Sequence, residues 1–301
     1  MEKKNEARSL DKRDSLRVVT ANEMILFEDL ANLSLNAKKL LYIAIAQCRE
    51  VDQAFYTYTT TPIELAEMWG IDRSHVYRDS LKITTELMKI VIREETNGKK
   101  SYKLHHLFET CKYDDDKVLT LKLHSDMAEF LLGQKGRFSK PKLWDFVRMR
   151  SPYSIAIWHL MQREMHSYKP MMTSPIEFDL TLEELRRVTG CTNKLKQIGQ
   201  FKERVLDKAI REIRENALVS ITYTNVKRGR TVVGFRFTAE SPWGTVKPED
   251  MTLRQRQQQR KGQLIRKKAA GMLSEEEKTE LDYLNAGLYQ RTIEDYTEGY
   301  E

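Results

Sequence analysis

The fold is decided by Leu180–Ala217, which reads LTLEELRRVTGCTNKLKQIGQFKERVLDKAIREIRENA. Two runs with helical periodicity flank a short turn, Thr189–Asn193, that contains a glycine. We predict a helix-turn-helix with helices over Leu182–Gly190 and about 194–216. A solvated amphipathic helix has the same period, so this stretch alone leaves both interpretations open. The apolar residues on one face of the second run are Phe201, Val205, Ala209 and Ile213.

Composition and charge narrow the class of protein. The chain has 301 residues, 40% hydrophobic and 32% charged, which is enough for about two domains. A net charge of +7 and a pI near 9.1 favour a polyanionic partner. The three cysteines are isolated in the sequence, so we predict neither disulfides nor a zinc site. Their isolation also predicts a reducing cytoplasm as the location. The longest apolar run, Leu40–Ala46, is too short to span a bilayer and no secretory signal is evident, so no membrane association is predicted.

The helix-turn-helix pattern occurs twice. An earlier copy begins at Pro62, ends its first helix at Gly70 and runs to Lys89, with proline and glycine at the ends where helices favour them. A hairpin around Asn97-Gly98 follows this copy, as one around Gly229 follows the later copy. Equivalent positions are offset by +114 in the preceding helices, +120 in the helix-turn-helix and +131 in the hairpins. We therefore predict an α+β fold of two tandem winged-helix domains related by an internal repeat.

Local patterns predict the other elements of the first domain. A helix at about Ala21–Leu30 precedes a buried helix that Ser34 or Asn36 caps. Alternating or β-branched runs predict the strands. They are Ser15–Thr20, Phe55–Thr61, Ile90–Glu95, Ser101–Phe108 and Val118–His124.

The charged end of the chain breaks the repeat. Residues 254–268 carry seven Lys/Arg and no acid, and residues 274–301 carry nine Asp/Glu and two bases. The acidic part could fold back on the basic part or bind a partner, or both could stay solvated. The predicted segments are a disordered N-terminus at 1–14, winged-helix domain 1 at 15–125, winged-helix domain 2 at 126–240 and a charged, partly helical or disordered tail at 241–301.

Three stretches carry a resemblance to a known family. The first is Val18–Asn22 followed by the helix LSLNAKKLLYIAIAQ. The second is Ser151–Met161, SPYSIAIWHLM, where Trp158 stands for the usual aromatic residue and Ala156 for a common arginine. The third is the basic hairpin Lys227–Arg230 followed by VGFRF. Together they resemble the iteron-binding plasmid replication initiator (Rep) proteins over about residues 15–240.

The resemblance implies a function. In such initiators the second domain reads repeated origin sequences, called iterons, while the first contacts the DNA backbone and forms the dimer. Monomers start replication at iterons, and dimers repress the initiator's own gene at an inverted operator. The family recruits the host's origin-melting initiator and replicative helicase and needs no nucleotide or metal. The implied partners are double-stranded DNA, a second copy in a monomer–dimer equilibrium and host replication proteins, with no cofactor.

Residue chemistry then selects candidate DNA contacts. Lys, Arg and Gln side chains bind phosphates and base edges, while hydroxyls and an imidazole suit phosphates. For any one of them, ordinary surface charge is the alternative interpretation. We expect Asn193 to cap the second helix and Gly199 to permit close approach to the DNA backbone. The candidates are Lys194, Lys196, Gln197, Gln200, Lys202 and Arg204 in the second domain, Lys227, Arg228 and Arg230 in its wing, and Arg73, Ser74, His75, Tyr77 and Arg78 in the first domain.

Enzyme signatures are missing from the sequence. Gly133–Lys140, GQKGRFSK, does not fit a P-loop. His105 and His106 are adjacent on a strand and so point to opposite faces, unlike the metal-binding histidines of a nicking enzyme. The environment of His159 favours core packing, and Asp114–Asp116 a loop between strands. We predict a non-enzymatic initiator without a metal site; the alternatives are a winged-helix transcriptional repressor and a nicking or joining enzyme.

Overall fold

In the computed structural model, the described residues belong to two compact units. One unit holds the described residues up to 165 and those from 176 to 239, and it therefore contains both predicted winged-helix domains. The other holds residue 175 and the described residues from 240 onward. The described residues are 7–10, 16–95, 101–134, 136–165, 175–217, 219–240, 257, 260, 261, 264 and 274–286.

The first half of the larger unit contains the predicted elements in the predicted order, with shorter strands. Two further strands were not predicted, namely Arg8–Ser9, within the N-terminus predicted to be disordered, and Phe108–Tyr113. The predicted helix Ala21–Leu30 is instead a short α-helix followed by the 3-10 helix Glu28–Asn32. In chain order the elements are β1 (Arg8–Ser9), β2 (Thr20–Ala21), α1 (Asn22–Ile25), α2 (Leu35–Ala46), β3 (Tyr58–Thr60), α3 (Pro62–Trp69), α4 (Arg73–Lys89), β4 (Val91–Glu95), β5 (Tyr102–His106), β6 (Phe108–Tyr113) and β7 (Leu119–Leu123).

Side-chain caps fix where the helices of this half begin. The Ser34 hydroxyl accepts a hydrogen bond from the Ala37 amide and starts α2, which is buried from its third residue onward. Thr61 and Glu64 form a capping box at the start of α3. Gly70, with φ of +67°, ends α3. The predicted cap and the predicted glycine stop are therefore confirmed.

Two sheets complete the first half. The order β1-β3-β7-β6 has β1 parallel to β3 and the other pairs antiparallel. Separately, β4 and β5 form the predicted hairpin, with Val91 opposite His106. Its connection, residues 96–100 with Asn97-Gly98, lies outside the described residues. The predicted strand Ser101–Phe108 is wrong at its end, because β5 stops at His106 and Phe108 begins β6.

The second half repeats the plan around a three-stranded sheet of order β10-β11-β9. Stacked Phe178 and Phe237, directly opposite each other in β9 and β11, lie in its buried face. In chain order the elements are α5 (Ala128–Leu131), β8 (Phe138–Ser139), α6 (Leu143–Val147), α7 (Pro152–Glu164), β9 (Ile176–Thr181), α8 (Leu182–Val188), α9 (Ile198–Phe201), a π-helical turn (Lys202–Leu206), α10 (Asp207–Ala217), β10 (Ser220–Arg228) and β11 (Thr231–Glu240).

Helix α7 joins the two halves through a buried histidine. The His159 Nδ1 lies 2.7 Å from the Tyr42 hydroxyl, and its Nε2 lies 2.9 Å from Thr20 Oγ1 and 3.0 Å from Ser139 Oγ. These partners belong to α2, β2 and β8, and α7 also packs against α10. The core role expected of His159 is confirmed. The domain boundary between residues 125 and 126 stays a prediction.

Protonation of His159 is expected to destabilise the fold. Burial, with a smaller repulsion from Lys38, lowers the pKa of His159 to about 3, whereas an unfolded histidine titrates near 6.5. Below pH 6.5 the unfolded chain therefore binds a proton that the folded chain does not. The unfolding free energy should fall by up to about 1.4 kcal/mol per pH unit between pH 6.5 and 3 from this group.

Urea unfolding across this pH range, for the wild type and His159→Gln, measures that contribution. Gln can still hydrogen-bond but does not titrate, so the difference in stability between the two proteins should shrink as the pH falls. A difference that stays constant with pH would contradict a neutral His159.

The described tail residues show contact between the basic and acidic parts. Helix α11 (Glu275–Ala286) begins at Ser274, whose hydroxyl accepts from the Glu277 amide. Arg260 donates to both carboxylate oxygens of Glu280, the closest at 2.8 Å. The fold-back alternative therefore describes this part of the tail.

Candidate nucleic-acid interface

The second helix of the later helix-turn-helix is one continuous element, 198–217, formed by α9, the π-helical turn and α10. Its buried stripe is the predicted one, Phe201, Val205, Ala209 and Ile213, all fully buried. A strict four-residue spacing drifts by roughly 40° per step around an α-helix. The π-helical turn has more residues per turn, so it rotates the side chains less per residue and reverses part of this drift. The stripe therefore stays against the core.

The helix begins later than predicted. Its first residue is Ile198 and its N-cap is Gln197, which makes no side-chain capping bond. The predicted start near 194 and the predicted Asn193 cap are wrong. Leu195 has φ of +50°, a left-handed conformation that a right-handed helix excludes. Residues 191–197, which we call the connection, lead from α8 to this helix. Three candidates therefore lie in the connection before the helix begins, namely Lys194, Lys196 and Gln197.

One arginine, which the sequence did not single out, holds this connection. Arg186, in the last turn of α8, donates from Nη1 to the carbonyls of Cys191 and Lys194 at 2.9 and 2.8 Å. It donates from Nη2 to the carbonyls of Leu195 and Lys196 at 2.9 and 3.1 Å. A basic residue late in a helix is common, so no sequence signal separated Arg186 from its neighbour Arg187.

The remaining second-domain candidates differ in their freedom to bind. Gln200 and Arg204 are exposed, four residues apart on the helix. Lys202 is half-buried, with its ammonium 5.3 Å from the Tyr223 ring centroid, so it contacts the hairpin. Around Gly199 an added Cβ would meet no atom within 4 Å. The exposed surface is thus the connection and the first turns of the helix.

The wing presents three cations to solvent. Strands β10 and β11 meet in the two-residue turn Gly229-Arg230, where Gly229 has φ of +62°. Lys227, Arg228 and Arg230 are exposed, and the side chains of these three residues form no hydrogen bond or ion pair within the described part of the chain. Their charge is therefore available to an anion.

The first-domain candidates are partly engaged by their own helix. Ser74 donates its backbone and hydroxyl hydrogens to Asp72, the N-cap of α4, and these bonds lower the Asp72 pKa. Arg78 pairs with Asp79 at 3.0 Å and lies 3.3 Å from His75 Nδ1. The ammonium of Lys117 is 5.8 Å from the ring centroid of another candidate, Tyr77. Arg73 and His75 are exposed, and the set as a whole offers less free charge than the wing.

One group of potential metal ligands occurs among the described residues. Atoms of Glu94, His105 and Glu129 lie within 4.8 Å of one another. The His105 Nε2 is already 3.1 Å from Glu94, and the Lys103 ammonium is 3.5 Å from the same oxygen. A hydrogen bond with His105 and an ion pair with Lys103 therefore already occupy the Glu94 carboxylate. His105 is buried and His106 exposed, as their expected opposite orientation requires.

No helix in the described part of the chain is long and apolar enough to cross a bilayer.

The Asp114–Asp116 run lies between β6 and β7, as expected. There the Lys117 amide donates to the Asp114 carbonyl, and Lys112 forms an ion pair with the Asp114 side chain at 2.7 Å. The loop interpretation of this acidic run is confirmed.

Two family models match successive parts of the chain. The model described as Initiator Replication protein, WH1 matches residues 17–162, and the one described as Initiator Rep protein, WH2 matches residues 181–239. The PI protein of Escherichia coli is 26% identical over 238 residues, covering 69% of this chain and 78% of the relative.

A solved structure supports the fold. The crystal structure of Pi initiator protein in complex with iteron DNA has a TM-score of 0.62 and 23% identity, covering 75% of this chain and 98% of that chain. The two family matches contain both helix-turn-helix units, and the second also contains the basic wing. The chain therefore belongs to the replication initiator (Rep) family with two winged-helix domains.

Proposed function

We propose that this protein starts plasmid replication by binding iterons with its second winged-helix domain. The observation that carries the proposal is the exposed surface formed by the 191–197 connection, the first turns of the helix 198–217 and the basic wing. The similar Pi initiator was crystallised with iteron DNA, which supports the same ligand here. Base edges are read by the connection and helix, and phosphates are held by the wing.

The protein acts in two oligomeric states in this proposal. Dimers repress the initiator's own gene at an inverted operator, and monomers recruit the host's origin-melting initiator and replicative helicase, without a cofactor or a catalytic step. The site of action is the bacterial cytoplasm, where plasmid DNA is replicated. The net charge of +7 supports binding to a polyanion.

Binding to DNA from around the gene tests the proposal. Fluorescence anisotropy at 150 mM salt compares direct repeats from that region with a scrambled duplex. We expect tighter binding to the repeats by at least about 10³-fold. Equal affinities would overturn the proposal. A plasmid lacking any other origin should replicate only when this gene and its repeats are supplied, whereas a pure repressor would bind without supporting replication.

The wing is expected to act through phosphates. Replacing Lys227, Arg228 and Arg230 by alanine should weaken binding to repeats and scrambled DNA by the same factor. The slope of log affinity against log salt should fall by about 0.9 for each lost phosphate contact. Measuring affinity at several salt concentrations gives the slope directly.

A matched triple variant controls for total charge. Lys103, Lys112 and Lys122 form ion pairs with Glu94, Asp114 and Glu109 on the first-domain strands. Their replacement by alanine removes the same formal charge from sites already neutralised by carboxylates. If both triple variants change the slope equally, the wing has no specific role.

A further inference from the structure

The connection between α8 and α9 holds one non-glycine residue, Leu195, in a strained backbone conformation. Leu195 has φ of +50° and is half-buried against the core. A non-glycine residue in this region brings its Cβ close to the following carbonyl oxygen, so this conformation persists only when its surroundings hold it. The exposed candidates Lys194, Lys196 and Gln197 flank it directly. The strain therefore lies within the surface proposed to read DNA.

Arg186 is the group that holds this backbone. Its two terminal nitrogens carry four hydrogens, and the four carbonyls that they reach, at 2.8 to 3.1 Å, use all of them. Three of these carbonyls belong to consecutive residues centred on Leu195. The guanidinium carbon also lies 4.8 Å from the ring centroid of Phe201, which is fully buried. The terminal nitrogens of the guanidinium therefore have no hydrogen left to donate to DNA.

We propose that Arg186 is a positioning residue that sets DNA sequence specificity without touching DNA. It fixes the backbone around Leu195, and this backbone sets the directions in which the side chains of Lys194, Lys196 and Gln197 point. The inference rests on the proposed function, because the directions of these side chains matter only if this surface reads bases. Base reading depends on bidentate geometry, so a connection that samples several conformations lowers affinity for the correct sequence more than for any other.

The chemistry of the side chain explains why an arginine is required. A guanidinium presents its donors in a rigid planar fork, which here spans carbonyls of residues 191 and 194–196. A lysine has one nitrogen with three hydrogens and cannot serve two separated pairs of carbonyls. Arg186→Lys therefore keeps the charge near the end of α8 but loses the fork. This variant separates the role of geometry from the role of charge.

The test uses the full chain with Arg186→Lys, Arg186→Met and the control Arg187→Met. Arg187 is the adjacent exposed arginine, and it makes no side-chain hydrogen bond or ion pair within the described residues. Hydrogen–deuterium exchange of the free protein should be faster in the peptide covering 191–200 for both Arg186 variants. Exchange of the hairpin strands should match the wild type. Arg187→Met should exchange like the wild type throughout.

DNA binding supplies the second readout. Both Arg186 variants should lose about 10-fold or more in the ratio of repeat to scrambled affinity, with a salt slope unchanged within about 0.5. A slope lower by about 0.9 with unchanged specificity would make Arg186 a phosphate contact and overturn the proposal. Unchanged exchange at 191–200 would overturn it independently of DNA. If the wild type itself shows no preference for the repeats, the proposed function fails, while the exchange result still decides whether Arg186 holds the connection.

Discussion

Replacing Lys196 and Gln200 by alanine is expected to reduce affinity for the origin repeat by roughly 5- to 150-fold for each substitution. Both side chains are exposed, one just before the helix 198–217 and one in its first turn. A bidentate contact to a base contributes about 1–3 kcal/mol of discrimination, which is lost when the contacting group is removed. Affinity for scrambled DNA should change much less, because that complex uses phosphates without reading bases.

Competition binding with repeats that carry single base changes identifies the contacted bases. Each alanine variant should lose discrimination at its own one or two positions and keep it elsewhere. Lys112→Ala and Gln53→Ala are the matched controls, since both residues are exposed and lie outside the proposed surface. Equal losses on repeat and scrambled DNA would mean that Lys196 and Gln200 bind only phosphates.

The sequence predicted the parts of this domain that depend on periodicity and local turn chemistry. The buried stripe from Phe201 to Ile213 requires only a helix with one face against a core. The wing turn requires a positive φ at Gly229, which glycine adopts without steric cost. Such features are determined within a few residues along the chain, so they are visible without the tertiary structure.

The conformation of the 191–197 connection depends instead on contacts made by α8. Leu195 has no intrinsic preference for a left-handed backbone, and the bonds from Arg186 that hold it link residues five to ten apart. The ion pair of Arg78 with Asp79 and the contact of Lys202 with Tyr223 likewise reduce the free charge of two candidates. Exposure and pairing are decided by packing, so residue type alone does not show which candidate side chains already have a partner within the protein.

A matched pair of glycine substitutions is expected to change stability in opposite directions. At Gly234, in β11, an added Cβ would lie 2.6 Å from the Leu180 carbonyl oxygen and 3.2 Å from Thr181 Cα. Both atoms are backbone of β9, directly before α8, so the strands must separate where the helix-turn-helix begins. Gly234→Ala should lower the unfolding free energy by about 1–3 kcal/mol, the usual cost of overpacking.

Gly199→Ala is the same chemical change in open space. No atom lies within 4 Å of the added Cβ, and alanine favours a helix over glycine by up to about 0.5–1 kcal/mol. The variant should therefore unfold at higher urea concentration than the wild type, while Gly234→Ala unfolds at lower concentration. If the helix approaches the DNA backbone closely at Gly199, the more stable variant should bind the repeat more weakly. Higher stability with unchanged affinity would show that Gly199 is not needed for close approach, and equal stability changes in the two variants would contradict the packing argument at β9 and β11.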